Sequence, residues 1–360
     1  MLRFIVDMIS NVKYNIIYDL IWEGWHLLVS ADYLRAIAEK ALLAQKVEPA
    51  NASLQADLLI EAELRGLPSH GVQRLPRLVA RLRAGLADPA AGGKARRAGA
   101  GAFTIDGERG LGPVVMMRAM ERLAATTPEQ GIALASIRNA NHIGMLAYYV
   151  EAAAERGLIG IVMTTSEALV HPYGGTEAML GTNPIAIGIP TGAEPFILDI
   201  ATSRVSMGKI HHHALTGAPI PDDWAVDADG RRTTDPEAAR TGAIAPFGDA
   251  KGYGLGLAVE LLVASLAGSA FAPEVGGTLD ATRQANKGDI IILIDPAAGE
   301  GHRTGLAAYL NRLRASRAAD PSRPVAVPGD GMRARRKKAL AEGIDLPDPL
   351  HQEIRALSEG

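Results

Sequence analysis

Two short polar turns carry the side chains best suited to chemistry. Ser69-His70-Gly71 sets an imidazole between two helical stretches, and Arg74 lies four positions after His70. If a helix starts at Gly71, Arg74 falls in its first turn, on the side facing the turn. That pairing suits a 2-oxo acid: imidazolium can protonate a forming alkoxide while guanidinium grips the carboxylate through two parallel hydrogen bonds. A histidine that merely caps a helix fits the same residues. Asn141-His142-Ile143-Gly144 is a similar turn after a strand-like run and before a helix, where open α/β sheets gather ligands. A structural histidine fits there as well. Asp199 ends the run Phe196-Ile197-Leu198, and a carboxylate buried by such neighbours needs a partner. A histidine partner would be oriented by it and its pKa raised, as a proton donor near neutral pH requires. Lys251-Gly252-Tyr253-Gly254-Leu255-Gly256 opens a helical stretch at Leu257 to Leu266. A lysine at a helix start can meet a phosphate or carboxylate, or mark a tight turn with a surface cation.

Other patterns promise less. Gly329-Asp330-Gly331-Met332-Arg333-Ala334 approaches G-x-G-x-x-G, but it follows prolines and leaves no room for the rest of a βαβαβ unit. It is not a Rossmann fingerprint. His211-His212-His213 resembles a metal tract, yet adjacent residues point in different directions and no second ligand cluster stands nearby; no metal is expected. The basic run Arg333, Arg335, Arg336, Lys337, Lys338 is balanced by nearby acids and reads as a solvated helix face. Asp222-Asp223 and Asp227-x-Asp229 lack the remaining ligands of an EF-hand loop.

The elements that must hold these residues change character along the chain. Ser30 can cap a helix with Leu34, Ile37, Ala38, Ala41 and Leu42 at helical spacing. A second helix carries Leu54, Leu58, Leu59 and Ala62, and a third carries Leu75, Leu78, Val79 and Leu82, ending at Gly85. From Ala100 short β-prone runs (103–105, 132–137, 158–165, 185–189, 196–200) alternate with helices at 113–125 and 145–156. The apolar run Asp289 to Ile294 reads as a strand of a sheet covered on both faces. Helices around 306–313 and 333–342 close the chain. The organisation expected is an N-terminal extension (1–29), a helical lobe (30–98, joined by C-terminal helices from 301–360) and an α/β core (99–300) that binds cofactor and substrate.

Composition sets outer limits. The 360 residues have a formal net charge of -3, giving no basic balance for nucleic acid or an anionic membrane. There are no cysteines, which excludes disulfides, thiolate metal sites and a cysteine nucleophile, and fits the cytoplasm. Aromatics are 4% of the chain, yet Phe4, Tyr14, Tyr18, Trp22 and Trp25 crowd its start, so residues 1–28 are foreign to the rest. That segment lacks the features of a secretory signal, and Asp7, Lys13, Asp19 and Glu23 interrupt any membrane span. It reads as an amphipathic docking helix or as an upstream extension.

The order of the short motifs is more specific than any one of them. Ser69-His70-Gly71-Val72-Gln73-Arg74-Leu75-Pro76 is followed by Asn141-His142-Ile143-Gly144, Pro172-Tyr173-Gly174-Gly175 and Gly181-Thr182-Asn183-Pro184. Asp199-Ile200-Ala201-Thr202-Ser203, Gly208-Lys209-Ile210, Trp224-Ala225-Val226-Asp227, Thr233-Thr234-Asp235-Pro236 and Lys251-Gly252-Tyr253-Gly254 complete it. Over roughly residues 30 to 345 this succession resembles the malate/L-lactate dehydrogenase family, whose relatives include ureidoglycolate, sulfolactate, diketogulonate and piperideine-carboxylate enzymes. The resemblance implies a non-Rossmann mixed α/β sheet with a helical N-terminal lobe, usually a homodimer with its active site near the subunit interface. It implies hydride transfer between NAD or NADP and a small 2-hydroxy or 2-oxo acid, with reduction of a cyclic imino acid, or a catalytically idle dinucleotide-binding relative, as alternatives. By the same resemblance His70 exchanges the proton, with Asp199 able to orient it and Ser69 beside it. Arg74 holds the substrate, and His142 matches a catalytic or substrate-site histidine. Ser166, Asp199, Ile200, Ala201, Lys251, Gly252, Pro328, Gly329 and Asp330 match dinucleotide-contacting positions. Asp249 departs from the pattern, standing where relatives often have glycine.

Overall fold

A computed structural model describes residues 26–299 and 305–359, so the aromatic-rich segment 1–25 lies outside the described residues. In chain order come β1 (His26–Val29), α1 (Ala31–Leu43), α2 (Pro49–Leu64), α3 (Leu75–Arg83), β2 (Lys94–Arg97), β3 (Ala102–Asp106), α4 (Gly112–Gln130), β4 (Ile132–Arg138) and α5 (Ala147–Glu155). β5 (Ile159–Thr164), β6 (Ile185–Ile189), β7 (Phe196–Ile200), α6 (Met207–Thr216), β8 (Ala225–Val226), α7 (Pro236–Arg240), β9 (Ala243–Ile244) and α8 (Ala250–Ala267) follow. β10 (Gly288–Ile294), α9 (Leu306–Arg314), α10 (Asp330–Glu342), β11 (Ile344–Pro347) and α11 (Asp348–Glu359) complete the order. The chain packs as two units: one runs to Pro76 and resumes at Met332, the other spans Arg77–Gly331. The division thus falls inside the stretch 30–98 that the sequence reads as one lobe.

In the first unit, Ser30 caps α1 by accepting from the Tyr33 N–H (3.2 Å), and Leu34, Ala38, Ala41 and Leu42 are buried. α1 packs on α2 and α11, and β1 pairs antiparallel with β11 from His26↔Pro347 to Val29↔Ile344. The tail end of the expected extension is therefore a paired strand. α2 starts with Pro49 in its first turn, where a missing N–H costs nothing. Its last two turns are buried almost all round, the acids Glu61 and Glu63 included. Glu61 is neutralised by Arg65 (3.0 Å) and Arg336 (2.7 Å), which hold its carboxyl below the usual range despite burial. Two 3-10 turns, Pro68–His70 and Val72–Arg74, then lead into α3.

The second unit is built on a seven-stranded sheet of order β2-β3-β4-β10-β5-β6-β7. Only β3 and β4 run parallel; every other neighbouring pair is antiparallel. A Rossmann sheet is parallel, so the rejection of the glycine fingerprint near residue 330 agrees with the topology. β10 lies between β4 and β5, and its alternate side chains face two helical layers. Ile290 packs with Met163, Val259, Val263 and Ala267 under α8. On the other face Gly160 lies against Val150 and Ala153 of α5, so close that a Cβ would overlap Ala153. α8 begins at Ala250, earlier than its apolar stretch suggests, so Lys251 and Gly252 sit in its first turn. Gly252 and Gly256 permit this, since a Cβ at either would collide with Phe247 or Thr202.

Candidate functional site

The Ser69–Arg74 turn is held from below by an acid. Glu63, in the last turn of α2, accepts the Val72 N–H at Oε1 (2.8 Å). A side chain at Gly71 would run into that carboxyl, which is why glycine stands there. Above, Ser69 Oγ and His70 Nδ1 share a hydrogen bond (3.0 Å), and Arg74 Nε–H donates to the Ser69 carbonyl (2.7 Å). Imidazole and guanidinium are thus tied to one turn. Burial, seconded by the Arg74 charge, pushes the His70 imidazole down to about 4. The sequence suggested a rise, through a carboxylate neighbour; the shift runs the other way, because burial and then the Arg74 charge both favour the neutral form. A neutral imidazole is a base. Burial pushes the Glu63 carboxyl the other way, up to about 7, with the Val72 N–H only partly offsetting it.

In the second unit the strand registers gather the remaining candidates at one end of the sheet. Arg138 of β4 is opposite Gly288 of β10, Asp289 is opposite Thr164 of β5, and Met163 is opposite Ile185, which is opposite Ile200. The segments leaving these positions carry Asn141 and His142, Ser166, Thr182 and Asn183, and Asp199 to Ala201. Asp199 Oδ2 accepts the Ala147 N–H (2.8 Å) at the start of α5, joining β7 to the segment after His142. An anion at a helix N-terminus is favourably placed. Gly144 N–H donates to His142 Nδ1 (3.2 Å). A backbone N–H can only donate, so the neutral ring carries its proton on Nε2. Asn141 beside it is fixed on three sides: its amide donates to the carbonyls of Arg109 (2.6 Å) and Gly110 (3.1 Å), and its Oδ1 accepts from Arg81 Nε (2.8 Å). Arg81, 3% exposed, also donates to the carbonyls of Asp280 (2.8 Å) and Arg283 (3.0 Å).

Ser166 Oγ accepts the Thr182 N–H (3.1 Å), and both the N–H and hydroxyl of Thr202 donate to the Thr182 carbonyl (2.8 and 2.9 Å). Phe247 N–H donates to the Thr202 carbonyl (3.0 Å), and Gly252 N–H to that of Phe247 (2.9 Å). One chain of hydrogen bonds therefore links Ser166, the segment after β7 and the start of α8. Asn183 is buried at positive φ (32°) and donates to the Gly256 carbonyl (3.0 Å) and to Glu260 (2.6 Å), leaving its Oδ1 buried without a partner. A dinucleotide asks for a cation at its phosphates and for polar groups along its sugars. Lys251 at the start of an 18-residue helix, the Ser166 hydroxyl and the 199–201 backbone fit that demand. Asp249, just before the helix, adopts φ 57° and ψ -118°, a conformation that glycine takes without strain. Pro328 and Gly329 precede α10, and Asp330 is gripped by Arg314 through two bonds of 2.8 Å. Among the described residues no group of His, Asp or Glu is arranged to hold a metal ion.

Several residues that shape this geometry escape a reading of the sequence. Glu63, Arg81, Asn183 with Glu260, and the buried pair Lys287–Asp289 each meet partners distant in sequence or hidden in an apolar run. The available signal was charge where none belongs: Glu61 and Glu63 among Leu58, Leu59, Ile60 and Leu64, and Asp289 leading Ile290-Ile291-Ile292.

Comparison with known proteins converges. Residues 29–355 match the family model described as malate/L-lactate dehydrogenase. A solved dehydrogenase from Sinorhizobium meliloti is 62% identical, with a TM-score of 0.90 over 92% of this chain and 98% of that one. The L-sulfolactate dehydrogenase of Methanothermobacter thermautotrophicus is 34% identical, covering 89% of this chain and 94% of its own. The Delta(1)-pyrroline-2-carboxylate reductase of Pseudomonas fluorescens is 34% identical over 92% of this chain and 99% of its own.

Proposed function

The chain belongs to the malate/L-lactate dehydrogenase family and is an NAD(P)-dependent oxidoreductase, and on that premise we propose that it oxidises and reduces a small acid of malate, lactate or sulfolactate type at C2. The observation that supports this reading is the Ser69–Arg74 turn, where one hydrogen-bonded loop holds a neutral imidazole and a guanidinium together. A nicotinamide bound there would supply a reversible hydride acceptor for C2 of the acid. As the hydride leaves, neutral His70 takes the hydroxyl proton, so 2-hydroxy acid and NAD(P)⁺ give 2-oxo acid, NAD(P)H and a proton. Arg74 grips the carboxylate. That anion offsets the guanidinium charge beside His70, which brings the imidazole closer to holding the proton it must give back. His142, with its proton fixed on Nε2, donates a hydrogen bond to the substrate and does not exchange the proton.

Ser166, the 199–201 backbone, Lys251, Gly252 and the Pro328–Asp330 segment hold NAD or NADP. Asp199 also fastens the start of α5 through the Ala147 N–H. Leu261, Leu262, Leu266 and Phe271 form an exposed apolar face beside the buried face of α8, and a second copy of the chain is the partner that suits it. α8 is long and apolar enough to cross a membrane by length and composition, but Val259, Val263 and Ala267 bury its other face on the sheet. The enzyme works in the cytoplasm on a small carboxylate. The pyrroline-carboxylate reductase relative favours a second reading, reduction of a cyclic imino acid, which uses the same clamp with nitrogen as the centre that takes the proton.

Cofactor oxidation with oxaloacetate, pyruvate, sulfopyruvate and piperideine-2-carboxylate separates the two. Turnover of a 2-oxo acid, lowered about 100-fold or more by His70→Asn, is expected. Turnover of the imino acid alone would replace the first reading with the second.

A further inference from the structure

We propose that Glu63 is a positioning residue of the enzyme: its carboxyl fastens the Gly71–Val72 turn from beneath and thereby sets the aim of His70 and Arg74. This rests on the reading of His70 and Arg74 given above. Three observations carry it. Glu63 Oε1 accepts the Val72 N–H at 2.8 Å, at the point where the two 3-10 turns meet. Gly71 lies against the carboxyl so closely that no Cβ fits between them, so acid and turn are shaped as one piece. Val72 and Leu75 are wholly buried, so the turn has no slack to absorb a shift at its base.

The placement is a poor one for stability. A carboxyl in the last turn of a helix faces the negative end of the helix dipole, and Glu63 is buried there. Its neighbour in the same turn, Glu61, is compensated by Arg65 and Arg336. What Glu63 gains is the Val72 N–H, and burial still drives its carboxyl up to about 7. A group kept at such a cost has its return in the geometry it enforces. His70 is bonded to Ser69, and Arg74 to the Ser69 carbonyl, so all three move with the turn. A displacement of about 1 Å in such a group is enough to cost roughly 100-fold in rate.

The test uses the full-length enzyme, with kcat expressed per cofactor-binding site so that misfolded protein does not count. Glu63→Ala is expected to lower kcat about 30-fold or more while the cofactor Kd stays within about 2-fold. Glu63→Gln, whose side-chain carbonyl can still accept from Val72, is expected to recover to within about 5-fold of wild type. Gly71→Ala is expected to be as damaging as Glu63→Ala, yet nearly harmless when added to it, because the collision is gone. If Glu63→Ala does not fold, Glu63→Met keeps the volume, removes the acceptor and carries the same expectation. Wild-type kcat per site in Glu63→Ala or Glu63→Met, or a Gly71→Ala penalty equal with and without Glu63, overturns the proposal. His70→Asn is measured alongside. An inactive His70→Asn beside a fully active Glu63→Ala condemns this proposal alone, whereas an unimpaired His70→Asn condemns the reading of His70 and this proposal with it.

Discussion

The two histidine turns look alike in sequence and differ in what holds the ring. At His142 a main-chain N–H, that of Gly144, fixes Nδ1 as an acceptor, and Asn141 beside it is anchored by Arg81 and two carbonyls. The ring is locked in one tautomer. At His70 the Ser69 hydroxyl bonds Nδ1, and a hydroxyl can donate or accept, so that bond survives a change in the ring's protonation. Burial, seconded by the Arg74 charge, holds it neutral. On the proposed reading, the first turn presents a fixed donor and the second exchanges a proton.

Breaking the second turn has the largest expected effect. His70→Asn is expected to lower kcat about 10²- to 10⁴-fold in steady-state turnover, with cofactor affinity by fluorescence titration nearly unchanged. Equal loss of both would put His70 in cofactor binding instead. Arg74→Lys keeps the charge but not the forked geometry, and is expected to reduce kcat/KM about 10- to 100-fold, mostly through KM for the acid. His142→Asn should cost about 10-fold and leave the shape of the pH–rate profile intact; a profile that changes in this variant and not in His70→Asn would exchange the two roles.

The smallest effects lie in stability. His70 titrates near 4 when folded and near 6.5 when unfolded, so the unfolded chain binds more protons between those values. Stability from this group is complete above about pH 6.5 and lost as pH falls toward 4, and His70→Asn should abolish that loss in urea midpoints. Glu63 works in the opposite sense. Its folded carboxyl keeps a proton up to about 7 that the unfolded chain has already released, so its contribution declines as pH rises from about 4.5 through 7. Glu63→Gln should therefore gain stability over wild type at pH 8, by about 1 to 3 kcal/mol, and little at pH 5. An equal gain at both values would mean that the Glu63 carboxyl is not perturbed.

What the sequence made legible was local or periodic. Ser30 does cap its helix, the strands at 185–189 and 196–200 stand where the β-prone runs put them, and the run at 289–294 lies inside a sheet covered on both faces. The order of short motifs along the chain carries the family by itself. Long-range pairing was not legible. Arg81 meets Asn141 across 60 positions, and nothing near either residue announces it. Asp289 passed as the start of an apolar run; Lys287 stands only two positions before it, but its other partner, Thr164, comes from the neighbouring strand β5. The direction of the His70 shift needed the depth of the ring and the nearness of Arg74, neither of which is a property of spacing.

The pH dependence of kcat/KM for oxidation of the 2-hydroxy acid reaches the central claim most directly, because it reports the pKa of the base in the enzyme before substrate binds. With His70 as that base, the value stays level from about pH 8 to about pH 5 and falls only as the imidazole protonates near 4. A fall centred near pH 6.5, the value of an imidazole in water, would contradict it.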